Sequence, residues 1–369
     1  MAASGKPDLL RRYNRDLIRD LIRNNGPVTK VELSRLSGAS VPTVNKIVNQ
    51  LECDGLVCGM DEDSHTLGRK AVRYIINKDA GYYIVLFIQN GSITAGLAND
   101  HGELVRQDVL HPDMTDLNDV NGSIFRIADS YRSSIPGDKL NSIGFGIPGV
   151  IDENHRIIAI PTVPCWEGID LLPVFEERYH VPVYLENDVK LMTVGAYQQE
   201  FAETYKNMVL VYISKGLGAG IVINGRLYKG FRNFAGEFGY MIPDFERPVS
   251  HPEWTGDLEL KLQPLAEKKI AGISLSESEQ EQFINMLTGI VTNFTAVLNP
   301  EVIAVYAPNL SDADLSQIRQ RTLIRIPDNC MPELTMIRNE MYGINGVVAL
   351  CMSENKTTIS LVDETGLQL

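Results

Sequence analysis

Nowhere in this 369-residue chain do eighteen apolar residues stand together, so no membrane-crossing helix, which needs about twenty, is expected. The opening stretch MAASGKPDLLRRYNRDL likewise lacks the apolar run of a secretory leader. Cysteine is sparse: Cys53, Cys58, Cys165, Cys330 and Cys351 are odd in number and have no paired Cys-x-x-Cys spacing, which speaks against both a disulfide framework and a zinc cluster of that pattern. They read as reduced thiols, Cys53 and Cys58 as buried apolar fillers. A cytoplasmic protein with no membrane partner is the expectation. Positive charge is short as well, with 34 Lys and Arg against 47 Asp and Glu, a net charge of −13. That deficit argues at first sight against nucleic acid, because neutralising phosphates takes local positive charge. Its distribution points the other way: residues 1–78 hold 13 basic and 9 acidic residues, net +4, which leaves 21 and 38, net −17, for the remainder. A basic module at one end of an acidic body has the layout of a DNA reader fused to an effector domain.

The composition that is present, 44% apolar and 22% charged, is that of a folded chain of two or three domains. Leu17, Ile18, Leu21 and Ile22 form one stripe at helical spacing, and Asn25-Gly26-Pro27 ends that helix. Thr29-Lys30-Val31-Glu32 is a capping box that starts a second, short helix ending near Gly38. Ser40 is the N-cap of a third, in which Pro42 falls in the first turn and Val44, Ile47, Val48 and Leu51 make the buried face. This leaves Thr43, Asn45, Lys46 and Asn49 outward, with Ser40 at the tip and Arg35 on the preceding helix. Two helices joined by a tight glycine turn, the second offering short polar side chains near its start, make a helix-turn-helix that can enter the major groove. Asn pairs with adenine edges and Lys with guanine or phosphate. The stretches Gly55–Cys58 and Val72–Ile76 pair as a hairpin around 60–67, and Arg69 and Lys70 make it a basic wing. The expected DNA-contacting set is therefore Arg35, Ser40, Thr43, Asn45, Lys46, Asn49, Arg69 and Lys70.

From Tyr82 the grammar changes to strands. Tyr83–Ile88, Ile93–Leu97 and Glu103–Val109 read as an antiparallel meander, followed by Ile143–Ile147 running into Pro148-Gly149 and Val181–Leu185 running into Glu186-Asn187-Asp188. A second round follows with Met208–Ile213, Gly218–Ile223, an Asn224-Gly225 hairpin, Arg226–Tyr228, a helix around Glu281–Leu298 and the strand Val302–Tyr306. Two similar halves imply a two-lobed α/β body with a cleft between the lobes.

The run Ile213-Ser214-Lys215-Gly216-Leu217-Gly218-Ala219-Gly220-Ile221, then Gly230 and Ala235-Gly236-Glu237-Phe238-Gly239-Tyr240, resembles the signature of the ROK family (repressors, open reading frames and sugar kinases), missing only its last position. The likeness extends to the winged helix-turn-helix of ROK repressors over Asn14–Lys70, to the loop Gly146–Gly149 and to Glu186-Asn187-Asp188. It implies an actin-like ATPase fold, a sugar held between the lobes, and a homodimer or dimer of dimers presenting paired modules to operator DNA. The division it implies is a DNA-binding domain over 1–78, a first lobe over 79–195 and a second lobe over 196–369 whose C-terminal helix returns to the first. Asp188 matches the family's catalytic base, which can also serve as a plain acceptor for a sugar hydroxyl. Asn187 and Glu237 match further sugar contacts, Gly256-Asp257-Leu258-Glu259 resembles the family's Gly-Cys-Leu-Glu with Glu259 as the last sugar-binding glutamate, and Tyr240 stands beside them in the pocket.

The departures carry as much. Where family kinases open the first lobe with Asp-x-Gly-x-Thr for phosphate and metal, this chain has Gln89-Asn90-Gly91-Ser92-Ile93-Thr94, without the acidic residue. Ala307-Pro308 replaces a Gly-Gly pair that admits the nucleotide base. Tyr240 stands where the family's zinc-binding histidine would be, 243–259 contains no cysteine, and His251, Asp244 and Glu253 do not make a tetrahedral sulfur site. No cofactor, no metal and no catalytic residue are expected. Three readings stay open: a sugar-responsive repressor without catalysis, a bifunctional ATP-dependent sugar kinase that also binds DNA, and a regulator answering to a protein partner or a non-sugar ligand.

Overall fold

The structure is a computed structural model that describes residues 5–60, 71–152, 156–160, 162–243, 256–307 and 309–354. At the N-terminus, α1 (Gly5–Asn25), α2 (Lys30–Ser37) and α3 (Val41–Cys53) pack over a small sheet of β1 (Val28–Thr29), β2 (Val57–Met60) and β3 (Arg73–Ile76), in the order β1-β3-β2. The caps fall where their chemistry requires: Thr29 and Glu32 form the reciprocal capping box of α2, and the Ser40 hydroxyl accepts from the Thr43 amide to start α3. Each such cap is worth about 1 kcal/mol. Ile18, Ile22, Leu33, Val44, Val48, Leu51, Val57, Tyr74 and Ile76 close a separate core. The first helix is longer than its apolar stripe, starting at Gly5, well before Leu17. Cys53 and Cys58 are exposed, not buried fillers: Cys53 is the last residue of α3, and in β2 only Val57 faces inward.

Two five-stranded sheets make the body. The first lobe has β4 (Tyr82–Gln89), β5 (Ser92–Asn99), β6 (Leu104–Leu110), α4 (Leu117–Ser134), β7 (Leu140–Ile147), a two-stranded ribbon β8 (Val150–Ile151) and β9 (Ile157–Ala159), α5 (Leu171–Tyr179), β10 (Val183–Asn187) and α6 (Asp188–Ala196). The second has β11 (Met208–Ile213), β12 (Leu217–Ile223), β13 (Arg226–Leu227), α7 (Asp257–Ile270), α8 (Glu277–Leu298), β14 (Val302–Tyr306), α9 (Asp312–Leu323), β15 (Glu333–Met336) and α10 (Met341–Glu354). Their orders, β6-β5-β4-β7-β10 and β13-β12-β11-β14-β15, are the same: an antiparallel meander extended by two parallel strands. This doubled plan is the two-lobed α/β body of actin-like ATPases.

Strand periodicity sorts the side chains into layers. Along β4, Tyr82, Ile84, Leu86 and Ile88 join an outer core with α4, α5 and Trp166, while Tyr83, Val85 and Phe87 join an inner core with α6 and α10. A strand buried on both faces reads as a continuous apolar run, which is why β4 is YYIVLFI. The outer face of the second sheet carries α7, α8 and α9. Between the sheets, α6 and α10 cross at contact distance: a Cβ added to Gly195 would lie 2.0 Å from the Tyr342 carbonyl, and one on Gly346 2.0 Å from that of Leu191. Only glycine permits that approach. The helix that ends the second lobe thus packs on β4 and β7 of the first, and α6 packs on β12 of the second.

The module is tied to the body through α1. Arg19 and Arg23 both reach Asp100 at the β5–β6 turn, at 2.7 and 3.2 Å, and the Tyr83 hydroxyl donates to the same carboxylate at 3.0 Å. The Asp100 side chain has no solvent exposure. Burial and the neighbouring Asp100 charge push the Tyr83 phenol up to about 12, so it remains a donor at any physiological pH.

Candidate functional site

The α6 N-terminus builds the centre of the candidate ligand site. Asn187 caps the helix with its side-chain oxygen accepting from the Lys190 amide at 3.1 Å, and its Nδ2 donates to the Gly149 carbonyl at 3.0 Å, so the 148–149 loop and the helix share one residue. Asp188 follows, 5% exposed, with Oδ1 accepting from the Val189 amide at 2.8 Å and from Asn187 Nδ2 at 3.2 Å. Burial raises its pKa to about 7, with the charge of Glu237 adding to the rise and the amide donors opposing it. Glu237 is raised by burial and by Glu259, against the pull of Lys190; Glu259 is raised by burial; and Tyr240 is raised by burial and by both glutamates. The influence of Glu237 on Asp188, of Glu259 on Glu237 and of both glutamates on Tyr240 puts the four in one electrostatic neighbourhood, with Asn187 beside them.

Glycine makes the assembly possible at Gly236, where φ is 97° and a Cβ would lie 1.9 Å from the Ala219 carbonyl. No other residue fits the turn that delivers Glu237. Asp257 begins α7, and Glu259 falls in its first turn, where the helix dipole favours a carboxylate.

Three residues outside the expected ligand-contacting set stand in the same place. Lys190 is buried, donates to the Asn233 carbonyl, and is shifted down by burial against the raising influence of Glu186 and Glu237. Glu186 is 4% exposed at its side chain and pairs with Lys229 at 2.5 Å. Lys190 and Lys229 thereby fasten the 229–233 segment of the second lobe to α6 and β10 of the first. A lone lysine within the apolar run Val189–Met192 was the available signal, since a cation there must be buried with a partner. The third is Gln89, at the end of β4 where the kinase aspartate is missing. Its Nε2 donates to the Tyr212 hydroxyl at 2.6 Å, and the Tyr212 ring stacks on Tyr306 at 5.0 Å and 12°. A neutral amide and two aromatic rings in this position supply no anionic oxygen of the kind that holds a magnesium ion beside substrate phosphates. Ala307 directly follows β14; Pro308 lies outside the described residues, as do His251, Asp244 and Glu253. Among the described residues, no group of three His, Cys, Asp or Glu could hold a metal ion.

In the N-terminal module, Arg35, Ser40, Lys46 and Asn49 are exposed and Thr43 and Asn45 half-buried. Three of the six are partly committed: Ser40 and Thr43 bond each other through their hydroxyls at 2.8 Å, and Asn49 accepts from Lys30 at 2.6 Å, which ties α3 to α2. Asn45 and Lys46 remain as the side chains of α3 best disposed to read bases. Arg69 and Lys70 lie outside the described residues.

The sequence pattern of the ROK family matches residues 90–287. The xylose repressor of Bacillus subtilis (strain 168) is 30% identical over 244 residues, 65% of this chain and 62% of that one, so the match spans less than two thirds of that relative. A crystal structure of a ROK family transcriptional regulator, a homolog of E. coli Mlc, superposes with a TM-score of 0.76 at 21% identity, covering 95% of this chain and 97% of that chain. The ROK hexokinase from Thermus thermophilus gives 0.60 at 19% identity over 73% of this chain and 97% of its own. The regulator thus matches in fold over nearly the whole chain, and the kinase over about three quarters of it.

Proposed function

Because the chain belongs to the ROK family, we propose that it is a sugar-responsive, DNA-binding transcriptional repressor whose kinase-like body senses a sugar or sugar derivative without phosphorylating it. The observation that carries this is one chain's pairing of a helix-turn-helix, with Asn45 and Lys46 on the outer side of α3, and a two-sheet body that gathers buried carboxylates around the α6 N-terminus but has Gln89 bonded to Tyr212 where a metal-holding aspartate would be. The repressor names of its relatives and the regulator fold agree with it. Asp188, Asn187, Glu237 and Glu259, with the Tyr240 hydroxyl, offer acceptors and donors for several hydroxyls. Such a pocket discriminates strongly, because a polar group left unpaired is costly. The partners are operator DNA and a small sugar inducer, with two copies or a dimer of dimers bringing paired modules to the site.

Two tests separate this reading from its rivals. Full-length protein should select, from a random DNA pool at low salt, a pseudo-palindrome whose half-sites lie an integral number of turns apart, about 10–10.5 bp or a multiple. Substituting Asn45 or Lys46 should change base preference by about 1–3 kcal/mol at single positions, and a pool that emerges unselected would defeat the repressor reading. Incubated with ATP, magnesium and a panel of monosaccharides, the protein should form no sugar phosphate. ATP-dependent product that disappears in Asp188→Ala would instead establish the bifunctional kinase, since phosphoryl transfer needs the metal and γ-phosphate held in place.

A further inference from the structure

A second cavity, of about 540 Å³, opens on the side of the body away from the α6 N-terminus, where the end of α1, the β5–β6 turn, the end of α6 and α10 meet. Its volume lies within the roughly 300–1,000 Å³ of small-molecule sites. In a chain with 47 acidic residues against 34 basic ones, none of the residues lining it is Asp or Glu. The walls instead offer the Arg23 guanidinium, the His101 imidazole and the primary amides of Asn24, Gln198, Gln199 and Asn345. Arg23 is held in position by Asp20 at 3.2 Å and Asp100 at 3.2 Å, and its buried Nε has no partner among the described residues. Asp100 and Asp20 offset the charges of Arg19 and Arg23, so recognition here would rest on pre-positioned donors more than on net charge.

From this donor-rich, carboxylate-free lining we infer that the junction between the DNA-reading module and the body is a binding site for a small acceptor-rich anion, a phosphorylated or carboxylated metabolite, distinct from the sugar site. The site has one wall from each unit, so an anion seated in it holds α1 against α6 and α10 and biases the placement of the module. Its regulatory part rests on the repressor reading; its binding part does not.

The experiment is calorimetric titration of the full-length protein with inorganic phosphate and, separately, citrate, which distinguishes a phosphoryl from a carboxylate ligand. At least one probe should bind in the millimolar range or tighter, and the double variant Gln198→Glu/Asn345→Asp, which sets two negative charges on the walls, should weaken it at least tenfold. The single variant Gln199→Glu, at an exposed position, should weaken it several-fold if the double variant does not fold. Gln320→Glu, on α9 away from the cavity, should leave affinity unchanged. Absence of binding by both probes, binding that survives the wall charges, or equal weakening by Gln320→Glu would each overturn the assignment. None of these readouts involves DNA or sugar, so such a failure would leave the repressor reading standing.

Discussion

Asp188→Asn should make the ligand-free protein more stable at pH 8 and, on the proposed function, abolish the response to sugar. Asp188 titrates near 7 in the fold against the ordinary 3.8 of the unfolded chain, because burial disfavours its charge. A carboxyl raised in this way contributes stability that is complete below about pH 4 and is lost as pH climbs through about 7, since over that interval the folded state binds more protons than the unfolded one. At about 1.4 kcal/mol per pKa unit, the ionised group costs the fold up to roughly 4 kcal/mol at pH 8. The amide keeps an oxygen for the Val189 N–H and carries no charge. Thermal unfolding of the two proteins should therefore show the variant ahead at pH 8, with the gap narrowing toward pH 5, where the wild-type carboxyl is protonated. A variant that is less stable at pH 8, or a gap that ignores pH, would show that the carboxylate is not desolvated as described. Glu237 and Glu259 are raised in the same direction but remain in both proteins, so the difference reports Asp188 together with its charge coupling to Glu237.

Asp100→Ala should be the most damaging single change at the junction. It leaves two guanidiniums, 26% and 13% exposed, without their common carboxylate, and deprives the Tyr83 hydroxyl of its acceptor. Breaking a buried pair by deleting one partner costs about 3–5 kcal/mol; with both arginines partly in water, about 2–4 kcal/mol is expected here. The loss falls on the contact between units, so calorimetry should show one transition for the wild type and two for the variant, and proteolysis of the variant should begin cutting between β3 and β4. Asp54→Ala, which removes the more exposed Arg15–Asp54 pair, should cost no more than about 1 kcal/mol. Equal effects from the two variants would deny Asp100 its special place. If sugar acts on DNA binding through this junction, operator DNA must alter sugar affinity by the same factor, and Asp100→Ala should diminish both.

What the sequence made legible was local. The second and third helices announce themselves through Thr29, Glu32, Gly38 and Ser40, whose chemistry acts within a turn, and the meanders through alternation and the Asn224-Gly225 turn. The inner helix α6 has no apolar stripe to find because it is enclosed: apart from Val194, every residue from Asp188 to Ala196 is buried between the sheets. The β15 strand is four residues long and only partly buried, so alternation gives no signal there. The site residues quoted from family motifs come together, whereas Lys190, Glu186 and the Gln89–Tyr212 bond depend on contacts up to 123 residues apart that no local pattern encodes. Asp100 looks in sequence like one more turn carboxylate; only the arrival of α1, some 80 residues earlier in the chain, makes it a buried anchor.

The return of α10 to the first lobe sets an order in time as well as in space. The N-terminal module draws its core from Ile18 to Ile76 and can finish as soon as that stretch leaves the ribosome. The first lobe cannot, because Tyr83, Val85 and Phe87 on its inner face wait for Tyr342, Ile344, Val347 and Cys351, which are translated more than 250 residues later. During synthesis the chain therefore carries a completed N-terminal module on an unfinished body, and any product ending before α10 would keep that module while leaving the inner face of its first sheet open to water and to aggregation.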